Sequence, residues 1–373
     1  MGSEMCIRDS GERGHDDHQR RVAPVRQPVV DDTGRVTTRP DEVIDLRGVQ
    51  ALVPGPPLPA VGLTGTGNFA SAFDVDRAVL VAAAAANAAF GAEKIDRDRV
   101  VALCAGRALV DDQPVPVWAD LSGYYETSDG GHIQFHCNFA HHAAGVVAEL
   151  GCEPTRAAVQ AAVLTRDPDE LETSLIEQGM IAARLRTIDE WDDHPHAAAT
   201  RDVPLITVER IGDGAARDAD RRLRVLDCSR VLAGPIAGLT FAAHGADTLR
   251  VGSAGLPSVE VGVLTTGSGK RNAFVELGTE DGRATMRHLL DGADVWIDAY
   301  RPGAFAARGF GLDSVAPGSV VVQLSAFDWI GPWAGRRGFD SIVQSTTGIV
   351  RAGSAAAGTS GPVPLPVQAL DYC

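Results

Sequence analysis

The stretch from Leu223 to Val251 limits what this chain can fold into more than any other. Leu223, Val225 and Leu226 form a short apolar run that suits a buried strand, and a loop from Asp227 to Pro235 follows. Ile236 to His244 is apolar and of helical length. Gly245 stands just past it, where a glycine takes the left-handed conformation at least cost. Asp247 to Val251 reads as a second strand. Strand, helix and strand within about thirty residues make a βαβ unit, parallel and as a rule right-handed. Open parallel sheets bind ligands at the carboxyl ends of their strands, so Asp227–Pro235 is a candidate binding loop. It lacks the G-x-G-x-x-G pattern of a dinucleotide site.

The rest of the second half keeps this alternation. Strands are expected over Ala273–Leu277, Asp294–Tyr300 and Val320–Ser325, and helices over Gly282–Leu290, Phe305–Arg308 and Ser341–Gly348. Gly252–Gly269 and Ser354–Pro366 read as loops. Alternating strands and helices predict an α/β parallel sheet. In the first half, Asp74–Phe90 is an Ala-rich helix, and Tyr124–Glu126 with His132–His136 predicts a hairpin. Helices are expected over His141–Leu150, Arg156–Ala162, Asp169–Gln178 and Ile181–Arg186. Thr187 and Glu190 have the spacing of a capping box, and Pro204–Glu209 reads as extended. Residues 1–60 are expected to be an arm and linker, and Gly2–Ser10 resembles translated adapter sequence more than natural protein. Domains are then expected over 61–212 and 213–373, with a polar linker between Gly212 and Asp220.

A net charge of −15 argues against nucleic acid as a partner, because phosphate binding needs a basic face. Six scattered cysteines without a C-x-x-C pair point to reduced thiols and a cytoplasmic location. No segment approaches the ~20 apolar residues of a membrane span. Gly65, Gly67 and Ala70 fit a phosphate-cradling spacing, but prolines precede them where a strand is required, so a flexible loop is the better reading. His132 and His136 share a strand face, yet no acidic or thiol partner stands at a metal spacing, and no metal site is expected.

Six blocks of the second half occur in a recognisable order: VLDCSRVLAGPIAG, HGADTLRV, GKRNAFVEL, GADVWIDAYRPG, ARGFGLD and GPWAGRRGFDSIVQSTTGI. Together they resemble the class III CoA-transferases, the family of formyl-CoA and carnitine CoA-transferases. DLSGYYETSDGGHI and LRTIDEWDDHPH in the first half resemble later parts of the same family. The chain thus carries the family's segments in a late-then-early order, as in a piece of a fused two-copy member. The resemblance implies a Rossmann-like open parallel sheet with helices on both faces, plus a smaller α+β domain.

It also implies a nucleophile, Asp371 in LPVQALDY, which attacks an acyl-CoA thioester to form an anhydride and then an aspartyl-CoA thioester. CoA binding by analogy falls to Val231, Leu232, Ala233, Lys270, Arg271, Val275, Ala299, Tyr300 and Arg337. CoA is a substrate in this reading, so no cofactor is expected; the partners are an acyl-CoA and a carboxylic acid acceptor, in an interlocked homodimer. The glycine-rich loop that covers the site in many relatives has no counterpart in the sequence, and Ser253 stands where some relatives carry a basic residue. Asp74 and Asp76 occupy the equivalent helix start in the first half, where an N-cap is the favoured role over a second nucleophile. One rival is an acyl-CoA racemase, whose histidine would fall at Phe339, a side chain that cannot transfer a proton. Another is a catalytically degenerate acyl-CoA-binding subunit.

Overall fold

The computed structural model describes residues 42–106, 108–215 and 221–373. The expectations for Met1 to Pro40 and for much of the 212–220 linker lie outside them.

Three sheets organise these residues. The first joins β1 (Val43–Ile44), β2 (Val61–Thr64) and β3 (Lys94–Asp96) in that order, β1–β2 antiparallel and β2–β3 parallel. A short α1 (Arg47–Gln50) follows β1, α2 (Val75–Ala88) crosses between β2 and β3, and α3 (Arg97–Cys104) follows. Residues 43–50, expected to be arm and linker, thus carry a strand and a short helix: Ile44 and Leu46 are buried with Val61 of β2 in the core around α2. Prolines 54 to 59 stop short of the ladder, which begins at Val61. Asp74 caps α2, its side chain accepting from the Arg77 amide at 3.3 Å, while Asp76 accepts from the Phe69 amide at 2.8 Å.

A two-stranded ribbon, β4 (Leu109–Val110) with β5 (Gln113–Pro114), leads to the second sheet. There β6 (Gly123–Glu126), β7 (His132–Phe135) and β8 (Ala182–Arg184) pair antiparallel. Helices α4 (Ala140–Leu150), α5 (Arg156–Val163) and α6 (Pro168–Glu177) cover it around Tyr125, Ile133, Phe135, Val159 and Leu171. Ile181–Arg186 was expected to be a helix and is a strand instead. Its Ala-Ala-Arg composition favours helix, but the ladder to β7 satisfies its backbone, and tertiary pairing outweighs propensity. The capping box at Thr187 is formed and starts α7 (Ile188–Asp192), and α8 (Pro195–Thr200) follows under a His194 cap. Pro204–Glu209 joins no strand.

The third sheet is parallel throughout. Its strands are β9 (Arg224–Cys228), β10 (Asp247–Gly252), β11 (Arg271–Phe274), β12 (Val295–Asp298) and β13 (Val320–Gln323). The order is β11-β10-β9-β12-β13. This is the doubly wound order, with its switch point between β9 and β12. α9 (Ala233–Ala243) packs through Ala237 and Phe241 on the face of Val225, Val295 and Ile297. On the other face α11 (Glu280–Asp291) buries Met286 and Leu290 against Leu226, Cys228 and Trp296. Helices therefore cover both faces, as an α/β sheet requires. The expected loop Gly252–Gly269 contains α10 (Glu260–Thr266). The chain then forms α12 (Asp340–Thr346), α13 (Ile349–Ala357), which takes in the start of the loop expected from Ser354, and α14 (Ala369–Tyr372). Ile349, Leu365, Val367 and Ala369 pack into the core around α2, joining the two ends of the described chain.

Two glycines explain the AGPIAG block. A Cβ on Gly234 would stand 2.3 Å from the Cβ of Ser229, and one on Gly238 2.4 Å from a carboxylate oxygen of Asp227. Their absent side chains let α9 lie directly on β9.

Candidate active site

A cavity of about 580 Å³ opens at the carboxyl ends of all five parallel strands. Arg230 and Val231 follow β9, Ser253 follows β10, Val275 and Glu276 follow β11, Ala299 to Arg301 follow β12, and Leu324 to Ala326 follow β13. This is the crevice at the topological switch point. The second sheet's unit supplies a further wall, Phe139, His141, His142 and Ile181. The cavity is thus composite, built by both halves of the chain.

Its chemistry is apolar with a ring of cations. Val231, Val251, Val275, Met286 and Phe305 line it beside Arg230, Arg301, Arg308 and Arg337. Among the described residues none of these four arginines stands in an ion pair; Arg230 donates to the Pro257 carbonyl and Arg308 to the Ala304 carbonyl. Burial, then the charges of Arg301 and Arg230, lower the Arg337 pKa below its ordinary value. Burial does the same to Arg230. The Nε atoms of Arg230 and Arg337 are buried without a partner. Arg337 Nη1 lies 3.3 Å from His142 Nε2, and burial holds that imidazole neutral with a pKa near 3. Uncompensated guanidinium groups in an apolar cleft are suited to an anion that carries a long apolar arm. Arg336 is different: with Arg186 it clasps the buried Glu172. Burial raises that carboxyl, but the hydrogen bond and charge of Arg186 and the charge of Arg336 outweigh it and keep it ionised.

Val231 holds φ at +70°, a left-handed backbone that a β-branched residue rarely adopts. Strain of this kind costs roughly 1–3 kcal/mol and gathers at functional turns. Here it turns the chain from β9 into α9 at the cavity's edge.

Of the residues singled out from the sequence, Val231, Val275, Ala299, Tyr300 and Arg337 line this cavity together. Leu232 and Ala233 begin α9 beside it without lining it. Lys270 and Arg271 part company. Lys270 is wholly buried, donating to Asp227 at 2.8 Å and to the Pro235 carbonyl at 2.7 Å. Arg271 turns outward to Asp247 at 2.7 Å. Neither lines the cavity. Ser253 donates to Glu276 at 2.7 Å. Arg230, Arg301, Arg308 and the Phe139–His142 wall escaped the sequence reading. Cations shortly after strand ends were a readable signal for Arg230 and Arg301; Arg308, in a short turn of helix after β12, and the wall, from another sheet, had none.

Asp371 also stands outside the cavity lining. It lies in α14, its amide donating to Asp340 Oδ2 at 3.0 Å. Asp340 directly follows Phe339, which lines the cavity and stacks on His136 with ring centroids 4.0 Å apart. Leu370 packs with Phe339 and Ile342. Burial, then the neighbouring Asp340, push the Asp371 carboxyl well above the ordinary range, and burial pushes Asp340 up to about 6. At Gly65 and Gly67, the other glycine turn, a β-strand does precede the loop. Yet the Thr66 and Gly67 amides donate to Asp98 at 3.0 and 2.6 Å, so a carboxylate of the chain itself occupies that nest. No described helix is long and apolar enough to cross a membrane.

Residues 221–373 match the family model described as CoA-transferase family III. An acetyl-coenzyme A transferase of Hypoxylon pulicicidum is 32% identical over 190 residues, covering 49% of this chain and 30% of that protein. A succinate–glutarate CoA-transferase of Agrobacterium fabrum is 32% identical over 149 residues, 34% of this chain and 37% of that protein. A crystal structure of a Mycobacterium tuberculosis protein is 27% identical with a TM-score of 0.36, covering 43% of this chain and 47% of that one. The chain spans about a third of the length of the curated relatives named here. Residues 221–373, the parallel-sheet part of the chain, are thus similar to CoA-transferase family III.

Proposed function

We propose that this chain moves CoA between an acyl-CoA and a free carboxylic acid, with Asp371 as the nucleophile. The observation that carries this reading is the cavity itself: four arginines without ion-pair partners among the described residues, around an apolar cleft at the switch point of a parallel sheet, within the segment similar to family III. The arginines take the phosphates, and the apolar lining takes the pantetheine arm. The thioester end lies toward Phe339, the wall residue next to Asp340 and hence nearest Asp371 in the bonded network.

Ionised Asp371 attacks the thioester carbonyl; the C–S bond breaks and CoA leaves as thiolate, giving a mixed anhydride. The thiolate attacks the aspartyl carbonyl and releases the donor acid. An acceptor carboxylate then attacks the aspartyl-CoA thioester, and the returning thiolate takes the acceptor's carbonyl while Asp371 is regenerated. A carboxylate suits the task because an anhydride preserves the activation of the thioester. Phe339 offers no proton-transfer group at its position, which favours transfer over racemisation. A cytoplasmic enzyme acting as a homodimer completes the reading.

Incubating the chain with acetyl-CoA and hydroxylamine tests it. Mass spectrometry is expected to find a hydroxamate on Asp371, and Asp371→Asn is expected to lower transfer to succinate by about a thousandfold or more. An unmodified Asp371 with transfer intact in Asp371→Asn removes the nucleophile. Arg337→Ala is expected to raise the KM for acyl-CoA about tenfold, with a smaller effect on kcat.

A further inference from the structure

The reaction needs Asp371 as a carboxylate, and the structure surrounds that group with little that favours one. Asp340 is nearly fully buried at the start of α12 and faces α14. Its Oδ2 accepts from the Asp371 amide at 3.0 Å, and its Oδ1 accepts from the Gln344 side chain. Gln344 in turn accepts from the Leu365 amide at 2.8 Å. One carboxylate and one amide side chain therefore tie both ends of the 365–371 segment to α12. That helix is itself bound to the cavity's other half: Ser345 donates to Gln134 at 2.6 Å, and its carbonyl accepts from the Arg186 amide at 3.1 Å.

Among the described residues, the remaining elements against α14 bring no compensating cation to Asp371. α9 has no titratable side chain. α2 carries Asp76 and Arg77 in its first turn, Asp76 being engaged with the Phe69 amide. Beyond α14, Cys104 of α3 is a buried thiol, and Tyr372 donates to the Leu103 carbonyl at 2.7 Å. Cys373 follows Tyr372. Among the described residues, Asp340 is the charged group that acts appreciably on Asp371.

We propose that Asp340 is a positioning residue for Asp371: its carboxylate fixes the short helix that presents the nucleophile, and its charge sets the pH at which Asp371 becomes available to attack. This rests on Asp371 being the nucleophile. The Asp340 carboxylate that binds the Asp371 amide also opposes ionisation of the Asp371 carboxyl, so the two lose their protons in two separated steps that belong to the pair.

Aspartate labelled with 13C at the side-chain carboxyl tests this by NMR titration of the full chain, with Asp371→Asn assigning the signal. In the wild type the pair is expected to titrate in two steps, the upper well above the ordinary aspartate value. In Asp340→Asn the Asp371 midpoint is expected to fall by at least about one pH unit, a tenfold change in the ionised fraction. Hydroxylamine trapping near pH 5 is expected to rise in step. Two ordinary midpoints in the wild type, a measurement that needs no fold-altering variant, overturn the proposal, and so does an unmoved Asp371 midpoint in Asp340→Asn. A purely structural role for Asp340 would lower trapping at every pH without shifting the midpoint. A shifted midpoint with no trapping at Asp371 keeps the coupling and removes the nucleophile; trapping with an unmoved midpoint does the reverse.

Discussion

Two aspartates near α9 keep opposite company. Asp227, in β9, is wholly buried beneath that helix and meets the buried Lys270 at 2.8 Å, with Ser229 donating to its other oxygen. Asp371, in α14 packed on the same helix, meets a second carboxylate, Asp340. The first aspartate is neutralised and fully bonded, which locks a strand, a loop and a helix together. The second is left in a place where its charge is costly. A charge that is buried and matched serves the fold, whereas one that is buried and opposed marks a place where chemistry is set up.

The contrast breaks most readily at Asp227. Asp227→Ala leaves the Lys270 ammonium buried without its partner, and the expected loss is about 3–5 kcal/mol of unfolding free energy. Urea denaturation reads it. The double variant Asp227→Leu with Lys270→Met removes both charges and is expected to recover most of the loss. Wild-type stability in Asp227→Ala would show that the pair does not hold β9 and α9 together, and the distinction between the two aspartates would fall.

The second prediction concerns pH. Burial raises Asp340 from its ordinary value to about 6 in the folded chain. A carboxyl group that is harder to ionise when folded binds protons more tightly in the native state than in the unfolded chain. Its contribution to stability is therefore full below pH 4 and is lost as the pH climbs through about 6; Asp371, shifted the same way, carries the loss higher. The stability difference between wild type and Asp340→Asn is expected to fall by about 3 kcal/mol between pH 4 and pH 7. Glu172, held ionised by its two arginines, acts in the opposite sense but equally in both proteins, so it cancels. A pH-independent difference would show that Asp340 carries no opposed charge in the folded chain.

How much of this was legible in the sequence depends on whether the cause is local. The β9–α9–β10 unit, the Asp74 cap and the Thr187 capping box depend on residues within a few positions of one another, and all formed as read. β8 was misread because Ala182–Arg184 has helical composition and is made a strand by β7, about fifty residues earlier. β2 was hidden by the prolines before it, and α13 by a Gly- and Ala-rich composition that reads as loop. In the site, Lys270 and Arg271 looked like one basic pair, but consecutive residues entering a strand point to opposite sides, so one is buried on Asp227 and the other is exposed on Asp247. The arginine ring was partly legible, since Arg230 adjoins Val231 and Arg301 adjoins Tyr300. The Phe139–His142 wall was not, because only the packing of one half on the other brings it to the cavity.

The smallest effect probes why Asp227 is matched at all. Gly238 lies where a Cβ would meet an Asp227 oxygen at 2.4 Å and the Lys270 ammonium at 3.0 Å. Gly238→Ala raises helix propensity, a gain of roughly 1 kcal/mol for an unhindered site. It also forces α9 away from β9 or pushes the ion pair out of line, and overpacking of this kind costs about 1–3 kcal/mol. With the steric term the larger, the net expectation is a loss of up to about 2 kcal/mol. Gly245→Ala is a useful contrast: its Cβ meets nothing within 4 Å, and only its φ of +86° resists substitution. If Gly238→Ala costs more in wild type than beside Asp227→Leu with Lys270→Met, the extra cost is strain on the ion pair, and the close approach of helix to strand exists to keep that pair sealed. Equal costs in the two backgrounds would mean that α9 merely fills space above β9, and the matched aspartate would owe nothing to the glycine above it.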